Sequence, residues 1–472
     1  MVIGDGLAAE AMTTLTGGAF LVAMALLMGA SNFQIGLLAA LSTFTNLFQL
    51  ISIWLVQRFN NRRAIVVVCS FLARSPLIVI GIIPSINSSV SLDILIVCLF
   101  FYYLFGSIAG PSWNSWMKDL VPEKSLGAYF SRRTRLMQTL NVILGILLAL
   151  LLDYIKQHNP TYQLPAYTIM FVSAGFLGIG GAIILSRAPE PQSFIQKENI
   201  FKMLGKPLKD KNFLRLLVFN SGWVFALNLA TPFFTVFLMK DLNYPISYII
   251  AFGIISQLCS IFAIQTWGSF ADKYSNKTII SIGAPLYILC IIAWCFVGIF
   301  SQLYANVSLL ILIYIFTGIS TAGIDLSLTN IGLKLAPREE SIVYLSTKNI
   351  ITAFFSTIAP LFGGYLADFF AKRQLNVTAL WDAPGAHRLF RFVHLHDLNF
   401  LFPIAAFFAV ISLQMLIYVK EKGEVGREQV KRIMRTSIRS NLKDYFLISY
   451  LISWHHQLWE IIKRKLVFDD DN

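Results

Sequence analysis

The sequence predicts an all-α integral membrane protein with 12 transmembrane helices. Of its 472 residues, 56% are hydrophobic and only 13% are charged, and the mean hydropathy is +0.66. Soluble domains carry about 25% charged residues, so this chain has too little charge for a water-exposed surface. Apolar runs of about 20 residues, long enough to cross about 30 Å of hydrocarbon, recur along the chain. These observations exclude a soluble enzyme, a disordered chain and, with 5 cysteines, a disulfide-stapled scaffold.

The apolar runs fall into two sets of six, separated by a polar stretch rich in proline and lysine. This arrangement predicts an N-terminal six-helix bundle at 1–187, a cytoplasmic linker at 188–212, a C-terminal six-helix bundle at 213–420 and a cytoplasmic tail at 421–472. The predicted spans are Leu7–Gly29, Ile35–Gln57, Ala64–Ile83, Leu92–Met117, Ala128–Leu152, Leu164–Ser186, Phe213–Met239, Ile246–Phe270, Thr278–Phe300, Val307–Leu333, Val343–Phe370 and Asn399–Val419.

The distribution of charge predicts the orientation. The net charge is +13, and lysine and arginine concentrate in the connections after even-numbered spans and in the tail. Cytoplasmic loops carry such an excess, so both termini are predicted to be cytoplasmic, in the inner membrane if the source is bacterial. No lysine or arginine precedes Arg58, so the basic n-region of a signal peptide is absent and the first apolar run is interpreted as a span.

An internal repeat relates the two halves of the chain through one constant sequence offset, the spacing from Arg58 to Lys273. Arg58 and Asn61, after the second span, correspond to Lys273 and Asn276, after the eighth. The same offset relates one group after the fourth span to one after the tenth: Leu120, Pro122, Tyr129 and Ser131 to Leu335, Pro337, Tyr344 and Ser346. Two regions with one spacing predict a duplicated six-helix unit, hence two bundles related by pseudo-two-fold symmetry.

These loops resemble the signature of the major facilitator superfamily of secondary transporters, G-x-x-x-D-[RK]-x-G-x-[RK]-[RK]. The second copy is the better match, with Ser275 at the second glycine: Gly268, Asp272, Lys273 and Lys277. The first copy keeps three basic residues, Arg58, Arg62 and Arg63, but has Ile53, Gln57 and Asn60 in place of the glycines and the aspartate. The resemblance implies a gate in which Asp272 holds the cytoplasmic face closed in one conformation. The alternative is that the basic residues only set the topology.

Three ionisable residues of the predicted spans are candidates for charges at membrane depth: Glu10 early in the first span, Arg74 near the middle of the third and Asp325 near the middle of the tenth. A charge at membrane depth is costly, so each indicates either a functional site or a structural pair. In the family that the chain resembles, the tenth helix lines the central cavity, which makes Asp325 the first candidate for proton coupling and Glu10 the second. The alternative for Asp325 is a structural pair with Arg74 or Lys334. For Arg74 we expect a structural role, with Glu10 or Asp93 as its partner.

Polar and aromatic side chains on the fourth, seventh and tenth spans are candidates for a substrate cavity. Amide side chains in hydrocarbon must find a partner, either in a substrate or in a neighbouring helix. The aromatic candidates have lipid or core packing as their alternative. The candidates are Tyr103, Trp113, Asn114, Trp223, Asn228 and Asn330.

Together these features predict a secondary active transporter of a small organic solute, coupled to protons and working by alternating access. No phosphate-binding loop or catalytic motif is present in the sequence. We therefore expect no enzyme activity, no cofactor, no metal site and no nucleic-acid partner, and a monomer in the lipid bilayer. The few charges predicted in the cavity favour a neutral, zwitterionic or amphipathic solute. The alternative is a transporter-derived sensor or assembly factor that binds a ligand or partner without flux, through an amphipathic tail.

Overall fold

The computed structural model describes residues 1–83, 91–122, 126–191, 205–299, 302–337, 340–383 and 386–421. The predicted tail from residue 422 onward and most of the predicted linker lie outside these ranges. Within them, twelve helical spans are long and apolar enough to cross a membrane, which confirms the predicted fold class. They are α1 (Val2–Leu27), α2 (Asn32–Phe59), α3 (Arg62–Ile82), α4 (Ser91–Leu120), α5 (Tyr129–His158), α6 (Pro160–Ser186), α7 (Lys211–Asp241), α8 (Ile246–Lys273), α9 (Asn276–Phe296), α10 (Leu303–Leu335), α11 (Val343–Phe370) and α12 (Asp397–Tyr418).

Successive spans run in opposite directions, so the connections alternate between two ends of the molecule. We call the end that carries Met1 and Glu421 the proximal end and the opposite end the distal end. The distal end also carries a β-hairpin that was not predicted from the sequence. Its antiparallel strands are β1 (Gln374–Ala383) and β2 (Ala386–His396), which lie between α11 and α12.

Two of the spans in the first bundle are interrupted near their middle. In α1, Gly17 is extended and Gly18 has a φ of +54°, a conformation that glycine adopts without steric cost. In α2, a 3₁₀ turn spans Asn46–Phe48. Ser107 of α4 donates to the backbone oxygen of Thr45 at 2.7 Å, which satisfies a carbonyl beside this break. Irregular backbone at membrane depth is tolerated where neighbouring helices satisfy it or where it lines a cavity.

Two aspartates join the bundles at the distal end. Asp153, at the end of α5, accepts hydrogen bonds from the backbone amides of Ile246 and Ser247 at 2.9 and 2.8 Å. These amides open α8, so the carboxylate caps the helix and meets the positive end of its dipole. We call this contact the first distal cap.

The second distal cap has the same design with the bundles exchanged. Asp368, at the end of α11, accepts from the backbone amides of Asn32 and Phe33 at 3.2 and 3.0 Å, at the start of α2. Asp368 is the repeat equivalent of Asp153, since the two are separated by the offset that relates Arg58 to Lys273. The pseudo-two-fold relation predicted from the loops therefore also relates the contacts between the bundles.

Below the second cap, α2 and α11 pack with their backbones in close contact. A Cβ atom at Gly36 would overlap the backbone oxygen of Pro360 and lie 3.4 Å from the Cα of Gly364. The remaining hydrogen bond between the bundles in the described ranges joins the hydroxyls of Thr43 and Thr357 at 3.4 Å, again on α2 and α11. The described bonds between the bundles thus lie between the distal end and the middle of the spans, and the distal end is closed.

Because Gly36 leaves no room for a side chain, Gly36→Ala is expected to disfavour the closed distal end by about 1–3 kcal/mol, the usual cost of overpacking. Distances between spin labels on exposed distal positions of the two bundles would report the change as a larger open population. Gly253→Ala is the matched control, since a Cβ there meets nothing within 4 Å. Equal distance distributions in the two variants would contradict the steric role of Gly36.

Candidate functional site

A cavity of about 690 Å³ lies in the first bundle, and several of its lining residues come from the proximal parts of α1, α4, α5 and α6. Small-molecule sites commonly have about 300–1,000 Å³. Three of the residues predicted for a substrate cavity line it: Tyr103, Trp113 and Asn114. The break in α2 borders it, since Thr45 and Asn46 are among its lining residues.

The buried Arg74 pairs with Asp5, not with Glu10 or Asp93 as predicted. Its Nη1 lies 3.1 Å from Oδ1 of Asp5 and donates to the backbone oxygen of Gly178 at 2.6 Å. Arg74 and Asp5 are only 7% and 3% exposed. Asp93, at the distal start of α4, is exposed. The expected structural role of Arg74 therefore has a different partner.

Glycines of α6 make room for this ion pair. A Cβ at Gly181 would lie 3.0 Å from Oδ1 of Asp5 and 3.1 Å from Nη1 of Arg74, and one at Gly178 would lie 3.1 Å from Cδ of Arg74. Both glycines belong to the apolar sixth span, where their spacing alone does not distinguish helix packing from accommodation of a charge pair.

Arg133 of α5 is a cavity residue that was not predicted. Its guanidinium carbon lies 4.8 Å from the centre of the Trp113 ring, within the range of a cation–π contact. Its Nε is buried and has no hydrogen-bond partner in the described part of the chain. The sequence offered one indication of this cavity residue, since Arg133 lies within the predicted span Ala128–Leu152. It lies near the proximal end of that span, however, where long basic side chains usually reach the interface.

Glu10, on α1, is a neighbour of Arg133 on α5. Its carboxylate lies near the side chain of Asn141 on α5, and it is attracted by the charge of Arg133. Asn141 also donates to the hydroxyl of Thr14 at 2.8 Å. The proton-coupling candidate in the first bundle is therefore held by α5, next to a cation.

Asp325 occupies a comparable setting in the second bundle. It lies on α10 and is attracted by Lys348 of α11, a residue that was not predicted for the site. Lys348 also donates to the backbone oxygen of Leu328 at 2.6 Å. The side chain of Asp325 is exposed in the described part of the chain. Its basic neighbour is thus Lys348, whereas the structural alternative had named Arg74 or Lys334.

The predicted residues of α7 and α10 do not line this cavity. Trp223 is 1% exposed and packs against Phe219 and Tyr287, with ring centres 6.3 and 6.2 Å apart, as a core residue. Asn228 donates to the backbone oxygen of Val224 in its own helix at 2.9 Å. Asn330 is half-buried on α10.

The signature arginine Arg62 is a structural anchor at the proximal end of the first bundle. It is 1% exposed, and its Nη1 lies 2.6 Å from Oδ2 of Asp119 at the end of α4. Glu190, after α6, accepts from the backbone amides of Arg62 and Arg63 and so caps α3. Arg62 therefore does more than set the topology, whereas Arg58 is exposed.

The second bundle has a matching anchor. Glu421, after α12, accepts from the backbone amides of Asn276 and Lys277 at 3.2 and 2.8 Å and pairs with Lys334 at 3.2 Å. Lys334 is the repeat equivalent of Asp119, so the two halves place opposite charges at this position. Each anchor joins helices of one bundle, so neither ties the two bundles together.

The remaining signature residues of the second copy are not engaged in a gate in this conformation. Asp272 and Lys273 are exposed, and within the described ranges no hydrogen bond or ion pair joins Asp272 to the other bundle. A Cβ at Gly268 would make only an ordinary contact, 3.9 Å from Leu326. The role of Asp272 in a closed proximal face stays a prediction.

Comparison with known proteins identifies the family to which this architecture belongs. A model of the Major Facilitator Superfamily matches residues 6–302 and, in a second match, residues 216–465. The chain belongs to the major facilitator superfamily. No curated protein sequence matches this superfamily member.

Solved structures of transporters share the fold. A mutant of the nucleoside transporter NupG is similar with a TM-score of 0.67 and 12% identity, over 89% of this chain and 99% of that one. The xylose transporter XylE from E. coli, inward open, has a TM-score of 0.60 and 12% identity, over 92% and 98%. A bacterial homologue of the iron transporter ferroportin, inward-facing, has 0.60 and 11%, over 89% and 98%. Membership of the superfamily makes the chain an integral multi-pass membrane protein and points to a transporter of a small molecule rather than to an enzyme.

Proposed function

We propose that the chain is a secondary active transporter that carries a small organic solute, coupled to protons, by alternating access. The observation that carries this proposal is the asymmetry of the two ends. The distal caps of Asp153 and Asp368 hold the bundles together, while the cavity lies in the proximal half of the first bundle. In a two-bundle transporter, a closed end opposite an accessible cavity is one of the two alternating states.

Orientation follows from the charge distribution. With the basic loops on the cytoplasmic side, the proximal end faces the cytoplasm, both termini are cytoplasmic and the described state is open inward. The protein then works as a monomer in the inner membrane if it is bacterial, with the boundary between the bundles in the linker at 188–212. The sensor without flux stays the alternative function.

Proton coupling is assigned to Glu10 and Asp325, each of which has a cation from the neighbouring helix beside it. A carboxylate that is paired with a cation in one state and separated from it in the other changes its proton affinity with the conformation. Movement of α5 relative to α1, or of α11 relative to α10, would separate Glu10 from Arg133 or Asp325 from Lys348. Each of these movements lies within one bundle, so proton binding and release would be linked to a rearrangement inside the bundles that accompanies alternating access.

Neutral variants of these carboxylates test the coupling. In proteoliposomes, Asp325→Asn or Glu10→Gln is expected to reduce accumulation driven by a pH gradient at least about tenfold. Exchange of labelled solute at equal pH should persist, because it does not require net proton movement. The solute would first be identified as the compound that raises the thermal midpoint of the purified protein.

Asp93→Asn is the control for this experiment, because Asp93 is an exposed carboxylate at the distal start of α4 and does not line the cavity. Accumulation in this variant should match that of the parent protein. Unchanged pH-driven accumulation in both Asp325→Asn and Glu10→Gln would remove proton coupling at Glu10 and Asp325 from the mechanism.

A further inference from the structure

Two basic residues at equivalent positions of the repeat have different surroundings in the two bundles. Arg133 and Lys348 are equivalent positions of the repeat, and so are their contact residues Trp113 and Leu328. In the second bundle, the carboxylate of Asp325 attracts Lys348. The position that corresponds to Asp325 in the first bundle is Gly110, which has no side chain.

The space beside Gly110 is open. A Cβ built on Gly110, or on Gly106 one turn earlier, would meet nothing within 4 Å. Gly110, Trp113 and Arg133 line the same cavity. The first bundle therefore has solvent-accessible volume at the position where the second bundle has a carboxylate.

Arg133 lines this cavity and retains unused hydrogen-bonding capacity, while its buried Nε lies against Gly6 of α1. A guanidinium carries five N–H donors and suits a carboxylate in a bidentate geometry. The Nε of Arg133 has no hydrogen-bond partner in the described part of the chain. Asp5 and Glu10 both attract Arg133, but Asp5 is already hydrogen-bonded to Arg74.

Aromatic rings surround the remainder of the cavity. Tyr102 and Tyr103 pack edge to face with ring centres 5.0 Å apart, and both line the cavity with Trp113. Planar apolar groups pack favourably against such rings. The cavity thus combines an anion-binding group with surfaces for a flat apolar body.

We propose that the solute is a small organic anion with a planar apolar part, whose carboxylate binds Arg133 in the space beside Gly110. This assignment rests on the proposed transport function and specifies its substrate class. Of the neutral, zwitterionic or amphipathic solutes expected from the sequence, it selects an amphipathic anion, because Arg133 adds a cation that the expectation did not include.

The position of Glu10 links this anion to the proton. The charged group that faces Glu10 is Arg133 from α5; Asp5 also attracts Arg133, and Arg74 from α3 is the partner of Asp5. Because Asp5 is hydrogen-bonded to Arg74, Arg133 is the cation for which Glu10 and an incoming anion compete. Protonation of Glu10 removes the internal competitor, so the anion binds more tightly at acidic pH.

Matched acids and amides test the assignment. We would measure the thermal midpoint of the full chain in detergent, at neutral and mildly acidic pH, with benzoate against benzamide, nicotinate against nicotinamide, and phenylacetate against phenylacetamide. At least one acid should raise the midpoint, more strongly at acidic pH, while its amide does not. A shift from none of the acids, or an equal shift from an acid and its amide, overturns the proposal.

Variants of the site separate charge from shape. Gly110→Asp places an internal carboxylate beside Arg133 and is expected to weaken binding of the acid about 30-fold or more, as is Arg133→Gln. Gly110→Asn has nearly the same shape without the charge, so the difference between Asp and Asn measures the charge alone. Arg133→Lys should restore part of the affinity lost in Arg133→Gln. Equal affinity of the Asp and Asn variants, in protein that elutes as a single species, contradicts the assignment.

Transport assays distinguish failure of this inference from failure of the proposed function. If the acid binds through Arg133 but does not cross the membrane of proteoliposomes, the site is correct and transport is wrong. If an amide is transported in preference to its acid, transport is correct and the anionic substrate class is wrong.

Discussion

Asp5→Asn is expected to destabilise the protein by about 3–5 kcal/mol, because it leaves the buried Arg74 without its counter-charge. Arg74 would keep its bond to the backbone oxygen of Gly178, but a single carbonyl does not neutralise a guanidinium. The tight fit of Gly178 and Gly181 around the pair leaves little room for water to replace the carboxylate. The loss should appear as a lower thermal midpoint and a lower free energy of unfolding in mild detergent.

The double variant Asp5→Asn with Arg74→Gln separates charge from packing. With both charges removed, the pair no longer carries a desolvation penalty, and most of the lost stability should return. If the double variant is as unstable as Asp5→Asn alone, the loss comes from packing and not from an uncompensated charge.

The second large effect is expected at the distal caps. Asp153→Ala and Asp368→Ala each remove two hydrogen bonds to a helix start, and each should disfavour the closed distal end by about 1–2 kcal/mol. The double variant should shift the equilibrium by about 2–4 kcal/mol, which changes the ratio of the two states by about 30-fold to about 1,000-fold. The ratio of molecules with a closed proximal end to molecules in the described state would rise by the corresponding factor.

Spin labels on the exposed proximal positions Arg58 and Lys273, in a background without the five native cysteines, would measure this shift. The distance between the labels should shorten in each cap variant and most in the double variant. Asp93→Ala removes an exposed carboxylate at the same end of the molecule and should leave the distances as they are. Distances that stay constant in all three cap variants would show that the caps do not hold the described state.

The spans could be predicted from sequence because a membrane helix satisfies its own backbone, so the length of an apolar run is nearly sufficient. The hairpin could not be predicted in the same way. The two strands, Gln374–Ala383 and Ala386–His396, lie between the spans α11 and α12, and a strand needs a partner strand rather than a run of a particular length. Apolar Leu375 and Val377 alternate with polar residues, and the sequence pair Pro384-Gly385 follows them. This pattern is typical of a hairpin, but equally of an ordinary loop.

The candidate site was only partly predictable, for reasons that differ between residues. Glu10, Arg74 and Asp325 stand out because they are charges within apolar runs. Asp5 does not, since it precedes the first predicted span, and Arg133 and Lys348 lie near helix ends where basic residues are common. Which carboxylate meets which cation depends on how the helices pack, and no local pattern encodes that. The repeat offset, applied to every charged residue, relates Arg133 to Lys348 and would have directed attention to both.

The exchanged arrangement of the distal caps bears on the origin of the chain. Each aspartate belongs to one half of the repeat and caps a helix of the other half. In a homodimer of two identical six-helix chains, one aspartate and one helix start would form both caps at once. Fusion of two such genes would preserve the pair without any compensating mutation. Half-length relatives that form such a dimer should carry a single acidic residue at the corresponding helix end.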